Sequence, residues 1–92
     1  MKYTYPILLT PAGKEYVVYV PGLEINTQGT SVTDAMEMAR DAIEAWGCYE
    51  RNEKRPIPEP IPLADVQAAP GEIVALIDVN FHDSRSEISA SS

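Results

Sequence analysis

Histidine and cysteine are nearly missing from this sequence: His82 and Cys48 are the single examples in 92 residues. A lone cysteine forms no internal disulfide, which suits a reducing compartment. Two such residues also fall short of the four Cys/His-type ligands of a structural zinc site. His82 opens a polar tail and has no serine or cysteine nucleophile to serve, so histidine-based catalysis is not expected. Cys48 lies near Glu44 and Glu50 in sequence, and acidic neighbours discourage a thiolate. Long apolar runs are lacking too. No stretch approaches the ~20 residues of a membrane span, and Met1-Lys2-Tyr3-Thr4-Tyr5-Pro6 has none of the apolar character of a secretory signal. The expectation is a soluble, cytoplasmic protein. Glycine-rich phosphate loops and internal repeats are absent, which leaves nucleotide binding without support.

Basic residues are the other scarcity. Seven Lys and Arg against fourteen Asp and Glu give a formal charge of -7. Such a surface repels nucleic-acid phosphates and attracts basic proteins. Arg51, Lys54 and Arg55 make the only basic cluster, and they fall at a helix end whose dipole already accounts for them. DNA binding by this chain alone is not expected.

What the sequence does have is one small core's worth of apolar residues, 45% of the chain, in patterns that change period along its length. From Tyr3 to Thr10 the pattern is a strand, with Tyr3, Tyr5, Ile7 and Leu9 on one face. Pro6 removes a ladder donor, which points to an edge strand or to a position where its nitrogen faces outward. Pro11-Ala12-Gly13-Lys14 turns the chain. Glu15 to Val20 completes a hairpin and is apolar on both sides, Tyr16, Val18 and Val20 against Val17 and Tyr19. One side suits a helix; the other calls for a second cover, so a dimer or higher oligomer is expected. Pro21-Gly22 breaks this strand, and Leu23 to Thr27 forms a short third one before the turn at Gly29.

Ser31 and Asp34 have the spacing of a helix start. Val32, Ala35, Met36, Ala39, Ala42, Ile43 and Trp46 then recur at helical period. Arg40 and Glu44 are placed to pair at i, i+4. Gly47 either ends the helix or is passed, at a cost of roughly 1 kcal/mol, on the way to Asn52. Pro56-Ile57-Pro58-Glu59-Pro60-Ile61-Pro62 is an extended connection, Leu63 to Val66 a short helical turn, and Glu72 to Val79 a fourth, largely buried strand. Residues 1-81 thus form one core domain. Residues 82-92 are a serine-rich tail expected to be disordered. The fold class is α+β: a three-stranded antiparallel sheet, one long helix packed on it and a returning fourth strand.

Acidic residues at Glu24, Asp34, Asp78 and Asp83 leave a magnesium-dependent nuclease as a third-ranked reading. No catalytic, cofactor-binding or metal-binding residue is assigned, and no cofactor is expected. The residues themselves give a small acidic binding domain.

The order of segments resembles the core of the HicB-like antitoxin family. The aromatic-rich run Tyr16 to Val20 leads into the break Val20-Pro21-Gly22-Leu23. The turn Thr27-Gln28-Gly29 then precedes a helix carrying Ala35, Ala39 and Ala42. The later half, ending Ile77-Asp78-Val79-Asn80-Phe81, fits as well. The resemblance implies a partial RNase H-like fold without catalytic acids, binding and inhibiting a small basic HicA-type mRNA-cleaving toxin. Relatives of this kind usually continue into a C-terminal DNA-binding module, which this sequence does not display. Partner contacts are expected from Tyr16, Tyr19, Pro21, Gly22, Glu24, Thr27 and Gln28, because a strand edge and its turn present both backbone and side chains. The alternative is an orphan oligomeric domain that binds protein or ligand without a toxin.

Overall fold

The computed structural model describes residues 2–81. The expected disorder of 82-92, like His82 and Asp83, lies outside the described residues. Four strands form one antiparallel sheet in the order β3-β2-β1-β4. They are β1 (Lys2–Ala12), β2 (Glu15–Val20), β3 (Ile25–Gly29) and β4 (Ile73–Asn80), and the helix α1 spans Val32–Asn52. The third strand therefore starts two residues later than Leu23, because Pro21 to Glu24 form the turn. A single 3-10 turn at Leu63–Asp65 interrupts the proline-rich connection.

Strand alternation sorts the sheet into two faces. Tyr5, Ile7, Leu9, Val18, Val20, Ile77 and Val79 point inward and pack with Phe81 against Ala35, Ala39 and Ile43 of α1. The small residues of the helix allow close approach to the sheet, and this dry layer is the main stabilising element. On the outer face, Pro6 and Leu8 are buried, whereas Val17, Val74 and Leu76 are exposed.

The β1-β2 hairpin closes through Gly13-Lys14, with Gly13 at φ +65° supplying the left-handed residue of a two-residue loop. Of the two positions open to Pro6, the structure takes the second: β1 is interior to the sheet, and the proline nitrogen faces a side with no strand partner. Its pairing with β2 begins only at Leu8, however, so at Pro6 the strand is paired with β4 alone. The proline occupies a local edge within an interior strand.

Helix α1 starts as its residues dictate. Ser31 Oγ accepts from the Asp34 amide at 3.0 Å, and the Asp34 carboxylate accepts from the Thr30 amide at 2.9 Å. The helix runs through Gly47 to Asn52. A Cβ on Gly47 would lie 2.2 Å from Phe81 Cε1, so the glycine makes the notch that this ring fills. Gly29 has a similar role: its hypothetical Cβ would meet the Ala35 backbone nitrogen at 2.4 Å, so it is required by contact with the helix.

Candidate partner-binding surface

The residues expected to make contacts do not share one face. Tyr19 and Gln28 lie on the outer face, where Tyr19 stands opposite Leu8 and Asn26, and Gln28 opposite Val17. Tyr16 and Thr27 belong to the inner side, half-buried, with Tyr16 packed against the core. Pro21, Gly22 and Glu24 form the turn between β2 and β3. The surface available to another molecule therefore comprises Tyr19, Gln28 and the turn, while Tyr16 and Thr27 support it from beneath. Val17 and Asn26 complete the outer patch. Strict alternation along β2 and β3 would have identified them, since they flank Tyr19 and Gln28 on the same side.

The turn is held rigidly. Gly22 has φ +89° and Glu24 φ +58°, so one non-glycine residue occupies the left-handed region. Two contacts maintain it: the Glu24 amide donates to the Val20 carbonyl at 3.0 Å, and the Tyr19 hydroxyl donates to the Glu24 carboxylate. That hydrogen bond raises the Tyr19 pKa, with burial a smaller cause. Ile61 lies against Gly22 so closely that a Cβ there would come within 2.9 Å of it, which pins the turn to the proline-rich connection. The result is an exposed carboxylate on a preorganised loop beside an aromatic ring, a fitting receptor for a cationic side chain.

The acids considered for a metal site are dispersed. Glu24 is held by Tyr19 in the turn, Asp34 caps α1, and Asp78 on β4 accepts from the Thr4 hydroxyl at 2.7 Å. Among the described residues, no group of three or more Asp, Glu, His or Cys residues is placed to hold a metal ion. No described helix is long and apolar enough to cross a membrane.

The basic cluster is largely committed. Arg55 bonds Glu50 through both Nε and Nη2 at 3.0 Å and lies over the Tyr49 ring at 5.3 Å. This pairing holds the Glu50 carboxyl below its usual range. Arg51 reaches the Phe81 carbonyl at 3.5 Å. A recess of about 420 Å³ lies between Tyr3, Arg51, Arg55, Pro56 and Ile57. Arg40 does not pair with Glu44 as expected: Arg40 contacts Glu37 at 3.8 Å and the Asp78 carbonyl at 3.1 Å, while Glu44 accepts from the Asn80 amide at 3.3 Å.

No family model matches the sequence. It is similar to Antitoxin HicB of Escherichia coli strain K12 and of Escherichia coli O157:H7, each 46% identical over 61 residues. Those matches take in 62% of this chain and 44% of each relative, so the chain spans less than half the length of the curated relatives it matches. Among solved structures, a chain of a toxin-antitoxin complex from Streptococcus pneumoniae superposes with a TM-score of 0.77 at 17% identity. That superposition covers 87% of this chain and 70% of the other, and it establishes the α+β fold. The resemblance to HicB-like antitoxins drawn from the motifs is thus met by sequence likeness to curated HicB proteins.

Proposed function

We propose that this chain is a non-catalytic, cytoplasmic antitoxin domain that binds and inhibits a small basic HicA-type ribonuclease toxin. The observation that carries the reading is the 46% identity over 61 residues to curated HicB antitoxins. A net charge of -7 supports a basic partner. The preorganised turn with Tyr19 and Glu24 supplies the contact, with Gln28, Val17 and Asn26 beside it. The core of 1-81 with a partial RNase H-like fold belongs to the same proposal.

The test is inhibition of RNA cleavage by a purified HicA-type toxin, taken from a basic reading frame beside this gene if one is found there. An equimolar amount of the chain is expected to suppress cleavage. Tyr19→Ala or Glu24→Ala should weaken inhibition at least tenfold, and His82→Ala should leave it unchanged. A toxin that neither binds nor is inhibited would sink the reading. Equal inhibition by all three variants would leave it standing but place the contact elsewhere. A second reading, an orphan oligomeric domain, is favoured by exposed Val17, Val74 and Leu76 on the outer face, and a gene neighbourhood without a basic toxin-like frame would prefer it.

A further inference from the structure

The two borders of the sheet are unlike each other. Strand β3 is five residues long and mostly polar, Ile25-Asn26-Thr27-Gln28-Gly29. Strand β4 is eight residues long and largely apolar, Ile73-Val74-Ala75-Leu76-Ile77-Asp78-Val79-Asn80. It contains no lysine or proline, and its register with β1 is unbroken by a bulge. Those are devices by which natural edges discourage pairing.

In an antiparallel strand, the N–H and C=O of a residue point to the same side, and successive residues alternate sides. The Asp78 carbonyl and the Asn80 amide bond Arg40 and Glu44 of α1. The even-numbered residues of β4 therefore turn their backbone groups away from β1. Arg40 and Glu44 occupy the Asp78–Asn80 end of that edge. At the other end, Val74 and Leu76 have no backbone partner on this side among the described residues. Their side chains are 39% and 49% exposed.

We propose that this open half-edge receives a second copy of the chain, antiparallel, about a two-fold axis at Ala75. Val74 of each copy then stands opposite Leu76 of the other, joined by backbone hydrogen bonds, and the two four-stranded sheets become continuous. The contact is self-complementary, as a two-fold interface must be. Moving the axis to Leu76 would draw on the Asp78 backbone, which Arg40 already engages.

Charge selects a copy over a basic protein as the occupant. The open stretch Ile73 to Ile77 is uncharged. The flanking acids are turned to internal donors: Glu72 accepts from Thr10 and the Ala69 amide, and Asp78 from Thr4. A cationic partner finds little to attract it here, while a second acidic molecule meets its least repulsive approach. The register does place Glu72 opposite Asp78 of the other copy, so residual repulsion remains at the rim. Screening it favours the dimer. An edge contact this small falls below the ~1,200 Å² of standard interfaces, so a Kd between roughly 10 μM and 1 mM is expected.

Sedimentation equilibrium of the full chain is the test. Wild type should dimerise, and more tightly at about 0.5 M salt than at about 0.05 M, where charges reach further. Leu76→Lys should raise the Kd at least tenfold while retaining a cooperative melt. Gln28→Lys, on the opposite edge, should leave it unchanged. Should Leu76→Lys lose its melt, Val74→Lys takes its place. Amide exchange at Val74 and Leu76 in wild type should slow as concentration rises. A wild-type chain with no detectable dimer at about 1 mM, where even the weakest expected Kd would place about half of the chains in dimers, would overturn the proposal. So would a dimer insensitive to both lysine variants, one lost with Gln28→Lys, or one that weakens with salt. The outcome is independent of toxin inhibition, so either reading can fail alone.

Discussion

Gly47 shows how a single residue couples the helix to the chain beyond the last strand. An alanine there gains roughly 1 kcal/mol of helix propensity. Its Cβ, however, would enter the Phe81 ring, with 2.2 Å to Cε1 and 2.4 Å to Cδ1. Phe81 is 3% exposed and tilted against Tyr3 and Tyr5, so it has little room to retreat. Overpacking of this kind costs about 1–3 kcal/mol, and Gly47→Ala should therefore lower stability by about 1 kcal/mol net, read from urea unfolding. Tyr5 provides a pH-dependent test. Its hydroxyl donates to the Pro58 carbonyl at 3.2 Å, and burial pushes its pKa up to about 12. The unfolded chain releases this proton near pH 10, so the stabilisation is complete below that pH and is lost as pH rises through about 12. Tyr5→Phe should flatten the decline in melting temperature between those limits. From sequence, Tyr5 was readable as sharing a strand face with Tyr3, Ile7 and Leu9, the face that the structure turns inward. The reason for Gly47 was not, because its partner is distant in the chain and a glycine in a helix carries no mark of what fills its notch.

Elements were more legible than their neighbours. Period alone located α1 and β2, since burial on one side of a helix or strand is a local pattern. It did not place β1 inside the sheet, because strand order is set by the return of β4, and Pro6 is tolerated by the late start of β1-β2 pairing. It also missed the separation of Arg40 from Glu44, which the edge of β4 draws apart. Of the candidate site, the break and turn were readable, and alternation along β2 already set Tyr16 apart from Tyr19; which of them faces outward, and where Thr27 and Gln28 fall, required the register. The β2-β3 turn yields a prediction at this scale. Glycine at position 24 would relieve the left-handed strain, worth about 1 kcal/mol, and would lose the solvent-exposed Tyr19 hydrogen bond, which offsets part of that gain. Glu24→Gly should thus change thermal stability little while weakening toxin inhibition under the proposed function. Equal loss of stability and inhibition would mean that the residue serves the fold alone.

At the scale of the whole molecule, net charge governs encounter. Under the proposed function, association with a basic toxin should slow steeply with salt in stopped-flow measurements, because exposed charges lose reach beyond about 8 Å at physiological ionic strength. Promoter DNA should not be retained at nanomolar concentration in an anisotropy assay: the charge is -7 and Arg55 is spent on Glu50. The topology has its own consequence. Strand β1 is the first to be synthesised, yet one of its two neighbours is β4, joined to it in a ladder from Lys2–Asn80 to Leu9–Ile73. Such long-range pairing is slow to form, and on the ribosome it cannot begin until nearly all of these residues have emerged. Until then, residues 2–7 of β1 lack the partner that closes the sheet. Nascent chains arrested before Asn80 should be cleaved by protease within β1, and chains that have extended well past it spared. Only a chain extended past Asn80 can close the sheet, so each round interrupted before it should leave a substrate for degradation.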